Sequence, residues 1–438
     1  GMIALLLSTK KTITWKALSI ITTLLLLSLL TKETGALFIF MILLFQVLII
    51  SRTRALIFIP YVFTSIVCYL FVRFGLAKVY LEKNEFIPLG HFSLVGRVIN
   101  IPEVVYYYIK SLFYPAKLSI DQLWTVKAID FQHFYYPLSI DLLFFFCISL
   151  LGVYLYKTHR HLLKLFFFFL VWFLVGLSML LQLYPLDMTV AERWFYFPIV
   201  GLLGLLGIAI QSTKATSIHI KKTSYIIGVC VLLAFSIRTM IRNVNWVDAI
   251  TLYSHDATIS DNFDIENNLG AQLAFAHEYK AALLHIKMAV EEYPHDTNLY
   301  DLGYVYEQLG DYLNAKKYYE LVLTQQDTSR KREEVLKNTY AGLARVLTLH
   351  DKPQVAKAFL QKAIRKYPDD GSYWAYLALC EYSLDEQQDA LASAEKAKIL
   401  LPNATTNTLY NRIKNKQVIN VKYLLGYDTL YRGVMILL

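Results

Sequence analysis

Leu302-Gly303-Tyr304-Val305-Tyr306-Glu307-Gln308-Leu309-Gly310-Asp311-Tyr312-Leu313-Asn314-Ala315 is the stretch whose reading decides the fold. Gly303 is small among large neighbours, Gly310-Asp311 breaks the run, and Ala315 lies just inside the next periodic segment. That is the pattern of two helices joined by a tight turn and packed closely at their small residues. The register repeats. Gly270, Gly303, Ala344 and Ala378 hold one position, and Ala282, Ala315, Ala356 and Ala390 follow each by twelve residues. Seven further on stand Ala289, Val322, Ala363 and Ala397, and five beyond them Pro294, Pro368 and Pro402 close three of the four units. Small side chains let the helices of a hairpin approach, and proline ends the second helix. Leu269, Leu302, Tyr306, Tyr319, Tyr340, Leu343, Trp374 and Leu377 fill the space between.

Four units at a period of about 34 residues resemble tetratricopeptide (TPR) hairpins and place them over 263–404. Arg330-Lys331-Arg332-Glu333-Glu334, between the second and third units, is expected to lengthen a helix with a solvated face. Residues 241–262, with Asn245-Trp246, Ala249 and Leu252-Tyr253, read as a connecting half-repeat. Residues 405–438 read as a cap or tail ending in Val434-Met435-Ile436-Leu437-Leu438.

Upstream the composition changes. Of 438 residues, 56% are apolar and 18% charged, whereas soluble domains run nearer ~45–50% apolar. Through Met240 there are 21 Lys and Arg against 9 Asp and Glu; beyond it, 22 against 25. The basic excess thus lies wholly in the apolar half, where it marks membrane orientation. The near-neutral repeat half has no basic stripe interleaved with aromatics, which argues against nucleic acid.

Seven segments of residues 1–240, at roughly 14–31, 35–51, 55–73, 138–156, 163–183, 194–211 and 223–240, are long and apolar enough to span. Lys10, Lys11 and Lys16, then Arg52 and Arg54, then Lys157, Arg160 and Lys164, then Lys214, Lys221 and Lys222 fall on one side, cytoplasmic by the positive-inside rule. The repeats are then expected outside the cytoplasm (periplasmic, extracellular or lumenal). An external loop over 76–137 is expected to carry a helix at 95–114. Two readings of that helix stand: one lying at the interface with tyrosines at headgroup depth, the other packed on the bundle. Residues 2–7 read as the tail of a helix, so the chain is expected to be an N-terminally truncated piece. Cys68, Cys147, Cys230 and Cys380 fall at no metal-ligand spacing, so no metal site or disulfide framework is expected.

Three clusters put charge at the outer boundary: Lys32-Glu33, Asp187, and Glu192-Arg193 before Trp194-Phe195-Tyr196. A guanidinium there binds phosphate bidentately, and a carboxylate orients a hydroxyl or a cation. The alternative is that Lys32, Glu33, Glu192 and Arg193 pair with one another to tie two helix ends.

Taken in order, Lys32-Glu33-Thr34, the external Tyr108 to Tyr114-Pro115 stretch before Asp121, Glu192-Arg193-Trp194-Phe195-Tyr196-Phe197-Pro198, and Arg242-Asn243 with Asn245-Trp246 leading into repeats resemble the transmembrane-and-TPR protein O-mannosyltransferases and their bacterial relatives. The resemblance implies an all-α chain: a partial GT-C-type polytopic helix bundle followed by a TPR solenoid. It implies a glycosyltransferase moving a sugar, mannose in that family, from a polyprenyl-phosphate carrier to Ser or Thr hydroxyls on the outer side. Arg193 and Lys32 would sit at the donor phosphate, with Glu33, Asp187, Glu192 and Tyr196 in support and the TPR groove engaging the acceptor. Its partners would be membrane lipid, the lipid-linked sugar and a protein acceptor; that sugar is the donor substrate, and no cofactor is implied. In that fold the catalytic acid lies in the first external loop, so it is expected upstream of this sequence. Two other readings remain: a non-catalytic membrane-anchored TPR scaffold, and an O-antigen-ligase-like enzyme. The latter would need paired Arg and His in the loop, where His91, Arg97 and His133 stand far apart.

Overall fold

The structure, a computed structural model, describes every residue except 11, 80–87, 91, 213–217, 261, 326–331 and 420–438, and only the backbone at 218–221 and 224. Lys11, His91, Lys214, Arg330, Lys331 and the apolar C-terminal stretch therefore lie outside the described residues, as do the side chains of Lys221. The described residues are helical, with no strand among them, and form two units, Gly1–Phe235 and Ser236–Leu438.

The first unit holds α1 (Met2–Ser8), α2 (Trp15–Thr31), α3 (Ala36–Phe45), α4 (Arg52–Leu70), α5 (Leu94–Phe113), α6 (Tyr136–Thr158), α7 (Leu163–Ser178), α8 (Tyr196–Ser212) and the start of α9 (Ile218–Val244). Hydroxyl side chains set the N-termini: Thr14 caps α2, Ser51 caps α4 and Ser93 caps α5, each accepting from a backbone N–H three residues on. With the turns that continue them, six helical stretches among the described residues are long and apolar enough to cross a membrane: Glu33–Ile50, Arg52–Leu76, Phe131–Thr158, Arg160–Ser178, Glu192–Ser212 and Tyr225–Val244. α2 is as apolar but shorter, at 17 residues. The chain is a membrane protein.

Leu18, Ile21, Leu25 and Leu29 recur at helical spacing on α2 and share one buried cluster with Ile39 and Ile42 of α3, Phe58 and Val62 of α4 and Trp172 of α7. The opposite face of α2 leaves Ile20 and Leu27 more than half exposed, and α6 does the same with Leu142, Leu143 and Phe146. In lipid such faces carry no hydrophobic penalty.

One sequence expectation is corrected here, and one open choice is decided. The segment expected over 163–183 stops being helical at Ser178. Gln182 takes a left-handed conformation (φ 58°). Its amide nitrogen donates to the Met188 and Thr189 carbonyls at 2.7 and 2.9 Å, closing the loop that follows the helix. Of the two readings of the helix expected at 95–114, the structure shows the packed one: α5 buries Val104, Val105, Tyr108 and Ile109 with Phe173, Leu177, Val190 and Phe195. Tyr108 therefore points inward and not to headgroup depth.

The second unit runs through α10 (Ala249–Ala257), α11 (Phe263–Phe275), α12 (Tyr279–Glu292), α13 (Asp296–Gln308), α14 (Tyr312–Thr324), α15 (Arg332–His350), α16 (Pro353–Lys366), α17 (Gly371–Ser383), α18 (Gln387–Leu400) and α19 (Ala404–Lys414). The small-residue register is the core of this array. Ala282, Ala289, Ala315, Val322, Ala344, Ala356, Ala363, Ala378, Ala390 and Ala397 are all fully buried. A Cβ on Gly303 would lie 2.8 Å from the Tyr319 ring, so only glycine lets α13 and α14 approach this closely. α12, α16 and α18 end two residues before Pro294, Pro368 and Pro402. Arg332-Glu333-Glu334 open α15, which at 19 residues is longer than α11, α13 and α17 at 13 each. Arg332 bonds Asp296 at 2.8 Å. α10 lays Ile250 and Tyr253 on the array, and α19 buries Leu409 and Ile413 at its other end.

Candidate functional site

A cavity of about 510 Å³ opens in the first unit, and the sequence explains its two characters. Its floor is apolar: Met2, Leu37, Phe38, Trp172, Gly176, Leu180, Phe197 and Val200. Trp172 stacks on Phe197 with ring centroids 5.2 Å apart, and its indole N–H donates to the Phe197 carbonyl at 2.9 Å. Its rim carries Lys32, Asp187 and Arg193, from three separate connections, and Tyr196 at the start of α8.

Each loop is fixed by its own residues. Lys32 is extended between α2 and a single turn, Glu33–Gly35, that leads into α3, and its carbonyl accepts from Gly35 N–H at 2.8 Å. A Cβ on Gly35 would sit 2.4 Å from the Ser28 carbonyl oxygen, so the turn requires glycine. Asp187 lies in the loop that Gln182 organises: Gln182 accepts from Leu186 N–H at 2.9 Å while donating to the Met188 and Thr189 carbonyls. Arg193 lies on the turn Glu192–Phe195 at the head of α8. α5 holds that turn. The Tyr108 hydroxyl accepts from Ala191 N–H at 3.2 Å, and its ring stacks on Phe195 at 4.9 Å. The neighbouring Tyr107 donates to the Glu192 carboxylate. Burial, then the adjacent Glu192 charge, pushes the Tyr107 phenol far above its ordinary range, so it stays a donor.

The charged groups of the rim are not ion-paired: among the described residues Lys32, Arg193 and Asp187 make no ion pair. Arg193 has only the Met188 sulfur at 3.6 Å and the Trp194 ring, 5.9 Å from its centroid. The acids beside the two cations do not line the cavity. Glu33 accepts from Arg73, near the end of the stretch Arg52–Leu76, and Arg73 also donates to the Tyr69 hydroxyl at 2.7 Å. Glu192 is held by Tyr107. The mutual pairing of Lys32, Glu33, Glu192 and Arg193 is thus absent. Tyr107 and Arg73 carried no signal in the sequence, because their partners lie 85 and 40 residues away.

Other sequence candidates disperse. Arg97 donates to the Leu183 carbonyl at 2.9 Å, and His133 folds back on Asp130 at 3.0 Å, so the two are not brought together as an anion site. Glu103 of α5 and Asp141 of α6 each leave one buried oxygen without a hydrogen-bond partner, and neither lines the cavity. Burial raises the Glu103 carboxyl above its usual range, against the pull of His133 and Lys110. Groups of three or more His, Cys, Asp or Glu able to hold a metal are absent among the described residues.

Comparison with known proteins gives two kinds of match. The tetratricopeptide repeat family matches residues 296–369. Protein O-mannosyl-transferase TMTC3 of Homo sapiens is 25% identical over 196 residues, 42% of this chain and 21% of that protein; the Mus musculus protein is 24% identical over the same span. The chain therefore spans about a fifth of the length of these curated relatives. Among solved structures, MamA (41-end) of Desulfovibrio magneticus RS-1 is 16% identical with a TM-score of 0.31, covering 38% of this chain and 92% of that one. YrrB, a TPR protein with an unusual peptide-binding site, is 17% identical with a TM-score of 0.32, covering 40% and 90%. The helices and the matches together describe a membrane protein with tetratricopeptide repeats over 296–369 that is similar, over less than half its length, to a protein O-mannosyl-transferase.

Proposed function

We propose that the membrane half binds a polyprenyl-phosphate-linked sugar in this cavity, as part of a GT-C-type glycosyltransferase that modifies Ser or Thr hydroxyls of a protein on the outer side. The supporting observation is the cavity's composition: an apolar floor for the first isoprene units beneath two unpaired cations, Lys32 and Arg193. In such a transfer the bond from the sugar C1 to the phosphate oxygen breaks and one from C1 to the acceptor Oγ forms. Negative charge grows on the departing phosphate, where preorganised cations count most. The acceptor proton passes to a carboxylate, which the resemblance places in the first external loop of that fold, and Asp187 supports the site from the rim. Tyr196, exposed beside it, offers a hydroxyl to the sugar. Glu33 and Glu192 act at one remove, through the turns they anchor. The repeats, expected on the same side, present the acceptor along their concave face.

Arg193→Ala in the full-length protein is expected to reduce sugar transfer from a polyprenyl-phosphate donor at least on the order of a hundredfold, the range seen when one transition-state donor is removed. The thermal unfolding of the membrane domain should be unchanged. Transfer at the parent rate would remove Arg193 from the site, whereas no transfer by the parent protein itself would favour the reading of a membrane-anchored scaffold.

A further inference from the structure

Lys32-Glu33 and Glu192-Arg193 are two acid–base doublets in sequence, and neighbours of opposite charge neutralise one another by default. Here both doublets are split in the same way. In each, the acid is taken by a group from another element, Arg73 for Glu33 and Tyr107 for Glu192, while the base lines the cavity without an ion pair. The two captors differ in chemistry but are both themselves fixed. Arg73 is braced by the Tyr69 hydroxyl and lies over the Tyr69 and Phe74 rings. Tyr107 is half-buried on α5, with its ring edge-on to Tyr108, which grips Ala191.

We infer that Tyr107 and Arg73 are positioning residues that draw the Glu192 and Glu33 carboxylates off the rim and so leave Arg193 and Lys32 free for a phosphate headgroup. This rests on the phosphate reading above. Removing the Tyr107 hydroxyl leaves the Glu192 carboxylate without its partner and one residue from Arg193. The carboxylate then competes with the ligand phosphate for the guanidinium. Anion affinity falls although no residue touching the ligand has changed.

The test uses the full chain in lipid nanodiscs and two probes, a polyprenyl monophosphate and the uncharged polyprenol of the same length. The parent chain is expected to prefer the phosphate. Tyr107→Phe should weaken phosphate binding on the order of tenfold, as a competing charge near a partly exposed cation would, and leave polyprenol binding unchanged. Tyr107→Phe combined with Glu192→Gln should restore it, because the released side chain no longer carries charge. Arg73→Gln, alone and with Glu33→Gln, forms a second cycle reading Lys32, independent of whether Tyr107→Phe folds. Equal binding of the two probes by the parent chain would overturn the phosphate reading, and this inference with it. A parent preference for phosphate, combined with no loss in the single variants or no recovery in the doubles, would overturn the inference alone.

Discussion

Lys32, Glu33, Glu192 and Arg193 show how far a residue's role depends on neighbours remote in sequence. Their types and their place at the ends of apolar helices were legible, and charge beside a membrane is costly and tends to be used. Which of them face the cavity was not, since it depends on Arg73 and Tyr107, and neither residue belongs to a recognisable motif. The repeat half has a residue of the same kind. Asp301 of α13 is fully buried and accepts from the Asn267 amide of α11 at 2.9 Å, while its other oxygen and the Asn267 Oδ1 have no hydrogen-bond partner. Burial pushes the Asp301 carboxyl up to about 8, with the Asn267 hydrogen bond opposing. The folded state therefore binds a proton that the unfolded chain releases above its ordinary carboxylate pKa. Stability is lost as pH rises from about 4 to about 8 and levels off above that. Asp301→Asn removes this slope and supplies an amide able to bond the orphaned Asn267 oxygen. Its stability gain over the parent, read from thermal unfolding of the repeat half at pH 5, 6.5 and 8, should widen on the order of 1 kcal/mol per pH unit. A gain independent of pH would contradict a buried, protonated acid.

At the scale of elements, the repeat hairpins were the most legible part of the chain. Backbone approach in a hairpin tolerates only small side chains, so packing writes a period into the sequence. The buried alanines are that period, and the proline stops mark where second helices end. Apolar helices were equally visible from length and composition, but their ends were not. α7 ends at Ser178, ahead of a loop closed by the Gln182 side chain on the backbone, an arrangement that hydropathy cannot register. The fate of α5 was open for a related reason: an amphipathic helix suits a lipid interface or a bundle equally, and the grip of Tyr108 on Ala191 decides between them. The turn from α2 to α3 gives a direct test of how an element places a site residue. Gly35→Ala must push the turn away from the Ser28 carbonyl, as no rotamer relieves a Cβ clash. It should destabilise the membrane half by about 1–3 kcal/mol, the range for overpacking, and weaken polyprenyl-phosphate binding through Lys32. An unaltered unfolding profile with unaltered binding would mean that the turn has room the structure does not show.

For the whole molecule, the division of charge between the halves carries the functional argument. The first 240 residues hold the entire basic excess, and its loops sort by sign along the chain. If that sorting follows the positive-inside rule, the cavity rim and the repeat array open to the same side. The proposed function needs that arrangement, because an acceptor and a lipid-linked donor have to meet on one side of the membrane. A single topology experiment on the full chain tests this most directly: an alkaline phosphatase reporter, active only outside the cytoplasm, fused after Pro402 or, as the opposite control, after Lys157. The account predicts activity from the Pro402 fusion and none from the Lys157 fusion. A silent Pro402 fusion beside an active Lys157 fusion would put the repeats and the cavity rim in the cytoplasm and contradict it.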